Sequence, residues 1–238
     1  MDFFILTFRG GLFLGQTGTS KSENPLQIIQ CCRQKRYDVM IYTTETLREA
    51  LSEYKNPNDK IHRMIREKKL FPITRGLYTT DPDISGKCLA CFIYGPSYLS
   101  FDYALAQYQL IDRISSGYQS ATYGKRRTKS YHTPFGTFAY RDIPAEAFPL
   151  SILENRVGNN LYRIASLEKA LCDKLYTLPP AKDEAELEAW VFEIIGIDRR
   201  RFRSLHLDEI LDIGDKYHSK NINLLMEYAL KIMLGRQE

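Results

Sequence analysis

The apolar positions along the chain become regular near Thr43. The sequence Thr-Leu-Arg-Glu at residues 46–49 has the form of a capping box, in which side chains satisfy the free N–H groups at a helix start. The apolar side chains around it recur at helical spacing on one face. They are Leu47, Ala50, Leu51 and Tyr54. This pattern predicts a helix over residues 44–54.

A turn and a second helix follow. Residues 55–58 read Lys-Asn-Pro-Asn, which offers an asparagine cap and a proline at a helix start, where proline's missing N–H is not needed. Ile61, Met64 and Ile65 form the apolar stripe of this helix, which we expect to end near Lys68.

Two short strand-like runs come next, at residues 70–74 and 77–80. Arg75 and Gly76 join them, and the glycine supplies the positive φ that a tight hairpin needs. Helix, turn, helix and hairpin in this order are the parts of a winged helix-turn-helix. We therefore predict such a DNA-binding module over residues 40–82.

Residues 83–238 carry a different pattern, which predicts a larger mixed α/β domain with a helical C-terminal part. Alternating apolar residues indicate a strand near residues 118–123 and a hairpin over residues 131–140. Helical periodicity indicates helices near residues 85–93, 101–109, 166–178, 183–195, 207–217 and 220–233. The predicted fold class is α+β.

Residues 1–39 match neither pattern. Their apolar run over residues 3–8 is interrupted by Arg9 and two glycines, and it is shorter than the about 18 residues of a membrane span. Asp2 stands where a secretory signal would carry positive charge. We expect a poorly structured extension, read from a start upstream of Met40, and no association with membranes.

The composition is that of a folded globular protein. Of 238 residues, 44% are hydrophobic and 26% are charged, which argues against disorder. Lys and Arg exceed Asp and Glu by 33 − 29 = 4, and this excess is concentrated locally. Residues 112–141 hold six basic side chains against Asp112 alone, while residues 181–238 hold nine against twelve acidic ones.

The first cluster of basic residues lies on the polar face of the second helix and on the hairpin. A helix with such a face can enter the major groove of DNA while the hairpin contacts adjacent backbone. The candidate DNA-binding residues here are Lys60, Arg63, Arg66, Lys68, Lys69, Arg75 and Tyr78. The alternative is that two helices and a hairpin form a packing module that binds no DNA.

The second cluster follows the strand near residues 118–123. Four cations within five residues can contact phosphates without reading bases. They are Lys125, Arg126, Arg127 and Lys129. A solvated loop, a contact with an acidic protein surface and an RNA site are the other interpretations of this cluster.

The chain offers little that indicates catalysis or metal binding. Its five cysteines are an odd number, typical of reduced cytosolic thiols. Cys88 and Cys91 have the spacing of a zinc-ligand pair, but no second pair follows, so we interpret them and Phe92 as core positions of a helix. Glu-x-Lys occurs at residues 53–55 and 67–69 without a metal-binding neighbour. We expect no metal, no cofactor and no enzymatic activity.

Three segments stand out by their order and spacing. They are Arg-Gly-Leu-Tyr at residues 75–78, Pro-Ser-Tyr-Leu-Ser-Phe-Asp-Tyr-Ala-Leu at 96–105, and Ile-Ala-Ser-Leu-Glu-Lys-Ala-Leu-Cys-Asp at 164–173. Together they resemble the AbiEi family, antitoxins of type IV toxin–antitoxin (abortive phage infection) systems. The likeness spans roughly residues 43–180.

The resemblance implies a bacterial cytoplasmic protein whose winged helix binds double-stranded operator DNA and represses its own operon. It also implies that residues 83–238 form an antitoxin domain, which counteracts a nucleotidyltransferase-like toxin without a tight complex and adds basic surface to DNA binding. The alternative is a stand-alone winged-helix transcription regulator whose second domain senses a ligand or another protein.

Overall fold

The computed structural model describes residues 41–112 and 117–235. The extension expected over residues 1–39 lies outside this range. The expected α+β class is confirmed, because the described residues form helices and two separate sheets.

The first sheet is small and carries two helices. Its elements are β1 (Ile41–Thr43), α1 (Thr44–Ala50), α2 (Pro57–Arg66), β2 (Phe71–Thr74) and β3 (Leu77–Thr79). All pairing is antiparallel, with β3 between β1 and β2. The two helices and the hairpin follow the sequence pattern, whereas β1 was not expected.

The start of α1 differs from the expected one. Thr43 is the N-cap: its hydroxyl accepts the Thr46 N–H at 3.2 Å, and the Thr46 hydroxyl accepts the Thr43 N–H at 2.9 Å. The capping box therefore lies one turn before residues 46–49, because two threonines perform the reciprocal bonding expected of Thr46 and Glu49. The helix also ends earlier, at Ala50, with Leu51 as its C-cap.

The remaining chain builds a six-stranded sheet and its covering helices. The elements before the last strand are α3 (Gly86–Ile93), β4 (Tyr98–Leu99), α4 (Phe101–Gln107), β5 (Tyr118–Thr122), β6 (Lys129–Thr133), β7 (Gly136–Asp142) and β8 (Ile152–Val157). They are followed by β9 (Asn160–Ala165), α5 (Leu167–Tyr176), α6 (Glu184–Glu188), a π-helical turn (Ala189–Ile194), α7 (Arg199–Arg203), α8 (Leu207–Gly214), a 3-10 turn (Asp215–Tyr217) and α9 (Lys220–Leu234). The sequence analysis missed β4, β8, β9 and α7.

The strand order of the large sheet is β6-β7-β5-β4-β9-β8. The sheet is mixed, because β5 runs parallel to β7 and β4 runs parallel to β9, while the other neighbours are antiparallel. Helices cover both faces. The Tyr140 hydroxyl donates to the Ala90 carbonyl of α3 at 2.7 Å, and the Tyr98 hydroxyl donates to Asp173 of α5 at 2.9 Å. Since Tyr98 pairs with Ala121 and Tyr140 with Ser120, these two tyrosines point to opposite faces.

The hydrophobic core extends from the hairpin to the last helix. One cluster of buried side chains runs from Ile73 and Leu77 through the large sheet to Ala229 of α9. The two N-terminal helices pack around other buried side chains, namely Leu47, Leu51, Ile61, Met64 and Leu70. Helices α1 and α2 are thereby held by a small core of their own.

An ion pair lies inside α5 with no exposure to solvent. Lys169 and Asp173 are four residues apart, and their charged atoms are 3.3 Å from each other. The Lys169 ammonium also donates to the Ala147 carbonyl at 2.6 Å and to the Tyr217 hydroxyl at 2.7 Å. Burial lowers the pKa of the Lys169 ammonium, and Asp173 opposes this effect.

The Asp173 carboxylate is the centre of this buried network. It accepts hydrogen bonds from Tyr98 at 2.9 Å, from Ser100 at 2.6 Å and from Tyr217 at 2.6 Å. Burial, together with the neighbouring Asp173 charge, raises the pKa of both tyrosines well above its usual range. The network joins β4, α5 and the turn before α9 within the core. Its buried polar groups are tolerated there because they form hydrogen bonds with one another.

Candidate nucleic-acid interface

The cations of α2 lie on the side of the helix that faces away from the small core, where Arg63 and Arg66 are exposed and Lys60 is half-buried. Ile61 and Met64 face the small core, and Lys60, Arg63 and Arg66 lie at intervals of three residues on the outer side. The helix starts as expected, since the Asn56 side chain accepts the Asp59 N–H and Pro57 occupies the first turn. Arg48 of α1 donates to the Asn58 side chain at 2.9 Å, which ties the two helices together.

A shallow cleft of about 340 Å³ opens on this outer side, and it brings together three of the expected residues. It is lined by Tyr54, Lys55, Asn56, Asp59, Lys60, Arg63 and Arg66. The Lys60 ammonium lies 4.6 Å from the centre of the Tyr54 ring, a cation–π contact that restricts the lysine without neutralising it. Four cations against one carboxylate make the cleft strongly positive.

Glu67 is an acidic residue placed among these cations. Its carboxylate is 2.8 Å from the Lys69 ammonium and 3.8 Å from the Arg63 guanidinium. The hydrogen bond from Lys69 lowers the pKa of Glu67, and the nearby charges of Arg63 and Lys60 add to this effect. The carboxylate therefore offsets part of the positive charge at the end of α2.

Lys68 follows α2, and Arg75 and Tyr78 belong to the hairpin. Arg75 is exposed at the turn. The next residue, Gly76, has a φ of +81°, a backbone conformation that glycine adopts more readily than other residues. The Gly76 carbonyl accepts the Thr44 N–H at 3.0 Å, which fixes the turn against the start of α1. Tyr78 is half-buried and pairs across the small sheet. Within residues 41–112 and 117–235, no acidic side chain pairs with Arg66, Lys68 or Arg75.

The second basic cluster lies on the loop between β5 and β6, on the sheet as the sequence indicated. Gly124 and Arg126 have positive φ values of 67° and 54°. The Arg126 N–H donates to the Asp142 carboxylate of β7, which anchors the turn. The Lys125 ammonium lies 5.3 Å from the centre of the Tyr94 ring. Arg127 is exposed, while Lys129 is half-buried as the first residue of β6.

The expected residues thus fall into two groups on different elements. Lys60, Arg63 and Arg66 share the cleft on α2, Lys68 and Lys69 follow this helix, and Arg75 and Tyr78 belong to the hairpin. The loop residues Lys125, Arg126, Arg127 and Lys129 belong to the large sheet.

Sequence reasoning missed three residues at these surfaces. Lys55 lines the cleft, Glu67 pairs with its cations, and Asp142 holds the basic loop. Glu67 could have been found from its i, i+4 spacing after Arg63. Asp142 carries no such signal, because its partner lies sixteen positions earlier in the chain.

The cysteines contribute to packing, and one expected core residue is exposed. Cys88 is buried in α3 and Cys91 is half-buried, and burial raises the pKa of the Cys88 thiol to about 11. Phe92 is 44% exposed, so its expected place in the core is wrong, although it lies one turn after the buried Cys88, near the end of α3. No group of three or more His, Cys, Asp or Glu residues that could hold a metal is found in the described part of the chain.

None of the described helices is both long enough and apolar enough to cross a membrane. Comparison with known proteins adds no assignment, since no family model matches the chain and no curated protein matches it.

Proposed function

We propose that residues 41–82 act as a winged helix-turn-helix and that the protein binds double-stranded DNA through them. The observation that carries this proposal is the positively charged cleft on α2. Its cations lie on the outer side of a helix that is held by a capped start, a small core and a hairpin. A helix of ten residues with this face fits a major groove about 12 Å wide.

The individual cations have different roles in this proposal. Arg63 and Arg66 contact base edges or phosphates in the groove, because an arginine fork can form paired hydrogen bonds with guanine. Lys60 and Lys55 contact phosphates at the groove's edge, and Arg75 reaches adjacent backbone from the hairpin. The basic loop, with four cations within five residues, adds contacts that do not depend on sequence.

We further propose that the protein is an autorepressing antitoxin that counteracts a nucleotidyltransferase-like toxin in the cytoplasm of a bacterium. This rests on the resemblance of residues 75–78, 96–105 and 164–173 to the AbiEi family. In this proposal the larger domain performs the antitoxic function without holding the toxin in a tight complex.

DNA binding by α2 is tested by one pair of substitutions and a control pair. Arg63→Ala with Arg66→Ala removes the contacts in the groove, each of about 1–3 kcal/mol where a base is read, so operator binding in a gel-shift titration should be lost. Lys216→Ala with Arg200→Ala removes the same charge from exposed sites elsewhere and should bind normally. If the first variant bound with unchanged affinity, DNA recognition would have to depend on another surface of the protein.

The loop is tested by neutralising its four cations together. Because each phosphate contact contributes about 0.9 to the slope of log K against log salt, the slope should flatten by up to about four. Binding to operator and to unrelated DNA should weaken by similar factors. A loss of preference for the operator, with the salt slope unchanged, would contradict the proposed role of the loop.

The antitoxic function is tested in cells. A gene beside this one should encode a protein that is toxic alone and harmless when this chain is expressed with it. The Arg63→Ala, Arg66→Ala variant should still protect, because the larger domain is intact. Cells that need no protection from any neighbouring gene product would favour the stand-alone regulator instead.

A further inference from the structure

The two edges of the large sheet differ in their exposed side chains. On β6, the exposed residues are Ser130 and His132, and Lys129 begins the strand, so polar groups protect this edge from pairing. On β8, Leu153 is 45% exposed and Val157 is 39% exposed. An edge strand with exposed apolar side chains is a site at which another strand can add to the sheet.

The sequence of β8 is complementary to itself when two copies run antiparallel. With Asn155 opposite Asn155 of a second copy, Glu154 faces Arg156 and Arg156 faces Glu154. On the other face of the sheet, Leu153 of each copy lies opposite Val157 of the other copy. Apart from the Asn155 pair on the axis, each directly opposed pair within residues 153–157 is then either apolar with apolar or acidic with basic, the combinations that stabilise neighbouring strands.

The charges around β8 support this pairing. Glu154 already contacts Arg163 of β9 at 3.2 Å, and Arg163 lies directly opposite it in the sheet. Arg156 lies opposite Leu161 instead and has no acidic partner among the residues that the structure describes. In the paired arrangement, Glu154 would lie between Arg163 of its own chain and Arg156 of the second copy.

We propose that the protein forms a symmetric dimer by antiparallel pairing of β8 with β8 of a second copy, with the twofold axis at Asn155. A twofold axis normal to the sheet keeps Leu153 and Val157 of both copies on one face, so the two sheets become continuous. One strand pair buries less than the about 1,200 Å² of a standard interface, so we expect a dissociation constant of about 1–100 µM. The interface contains none of the residues proposed to bind DNA.

Charge reversal tests the pairing on the full chain. Glu154→Arg and Arg156→Glu each place like charges opposite each other twice in a homodimer. Each variant should therefore raise the dissociation constant at least about fivefold, measured by sedimentation over a concentration series. Glu193→Arg, an exposed change of the same charge outside β8, is the control and should dimerise normally.

Mixing the two variants is the decisive step. In a dimer of one Glu154→Arg chain and one Arg156→Glu chain, every substituted position faces a residue of opposite charge, so dimer formation should return in the mixture. A mixture that stays monomeric, or a wild-type chain that stays monomeric at about 100 µM, would overturn the proposal.

Cross-linking tests the position of the axis. In a chain with Cys31→Ser and Cys32→Ser, Asn155→Cys should give a disulfide-linked dimer on oxidation, since directly opposite Cα atoms lie within disulfide range. Arg156→Cys should not, because the two positions are displaced by two residues, about 7 Å, along the strands. Equal cross-linking of both variants, or of neither, would exclude this register.

Discussion

The buried network around Asp173 gives a prediction about stability. Asp173→Leu removes the carboxylate but leaves the Lys169 ammonium in a site without solvent, with only the Ala147 carbonyl and the Tyr217 hydroxyl to accept its hydrogen bonds. Lys169→Met does the reverse and leaves a carboxylate that still accepts three hydroxyl hydrogen bonds. We therefore expect the first substitution to cost more than the second.

The size of both effects follows from these contacts. Breaking a buried ion pair on one side costs about 3–5 kcal/mol, and each hydroxyl left without an acceptor adds to this. Asp173→Leu should thus lower the free energy of unfolding by at least about 4 kcal/mol. Lys169→Met should lower it by about 3 kcal/mol, the low end of this range, because the carboxylate keeps its three hydrogen bonds. In the double variant no charge remains buried, so its cost should be smaller than the sum of the two by at least about 1 kcal/mol.

Urea unfolding of the full chain, followed by circular dichroism, measures these differences. A loss of 4 kcal/mol corresponds to about 8–16 °C in Tm for a chain of this size. Lys174→Met is the control on the same helix, because the Lys174 pair with Asp102 is partly exposed and should contribute about 1 kcal/mol. The reasoning would be refuted if the three single variants were equally stable, or if the effects at 169 and 173 were additive.

Three further predictions concern individual charged and titratable groups. Glu67→Gln removes the acid among the α2 cations, so on the proposed function DNA binding should tighten several-fold in gel-shift titrations, and weaker binding would contradict this. Asp142→Ala frees the Arg126 N–H, so binding to unrelated DNA should weaken in the same assay while operator preference is kept; unaltered binding would show that the anchor is dispensable. Because burial raises the pKa of Tyr98 and Tyr217, the unfolded chain loses these protons near pH 10 while the folded chain keeps them. The free energy of unfolding should then fall above about pH 10 by about 1.4 kcal/mol per pH unit for each tyrosine, and urea midpoints that stay constant there would contradict the burial of both groups.

The elements that the sequence predicts correctly are those whose own side chains carry a clear period. Helix α2 has the expected apolar stripe, asparagine cap and proline, and α5 lies within the predicted range 166–178. Strand β8 was missed because it is an edge strand on which both apolar and charged side chains are exposed, so its alternation is weak. Strand β1 has only three residues, and its pairing with β3 depends on contacts nearly forty positions away.

The candidate nucleic-acid interface could likewise be predicted from the sequence only where a local pattern reveals it. Exposed cations on α2 could be predicted, since a helical face follows directly from residue spacing. The cleft, the Glu67 pair and the Asp142 anchor depend on side-chain positions in three dimensions. Lys169 was also missed, because a lysine at the edge of an apolar stripe is normally solvated. Its burial requires acceptors from β7–β8 and α8–α9 connections that no local pattern reveals.

Strand β4 has a consequence for the order in which the molecule opens. Only Tyr98 and Leu99 form it, yet it pairs with β5 on one side and β9 on the other, so it joins two groups of strands into one sheet. If β4 detaches, β6, β7 and β5 can keep the hydrogen bonds among themselves, and so can β9 and β8, but the sheet then separates into these two parts. In native-state hydrogen exchange, the amide protons of Tyr98 and Leu99 should therefore report whether the two parts open separately or only when the whole chain unfolds.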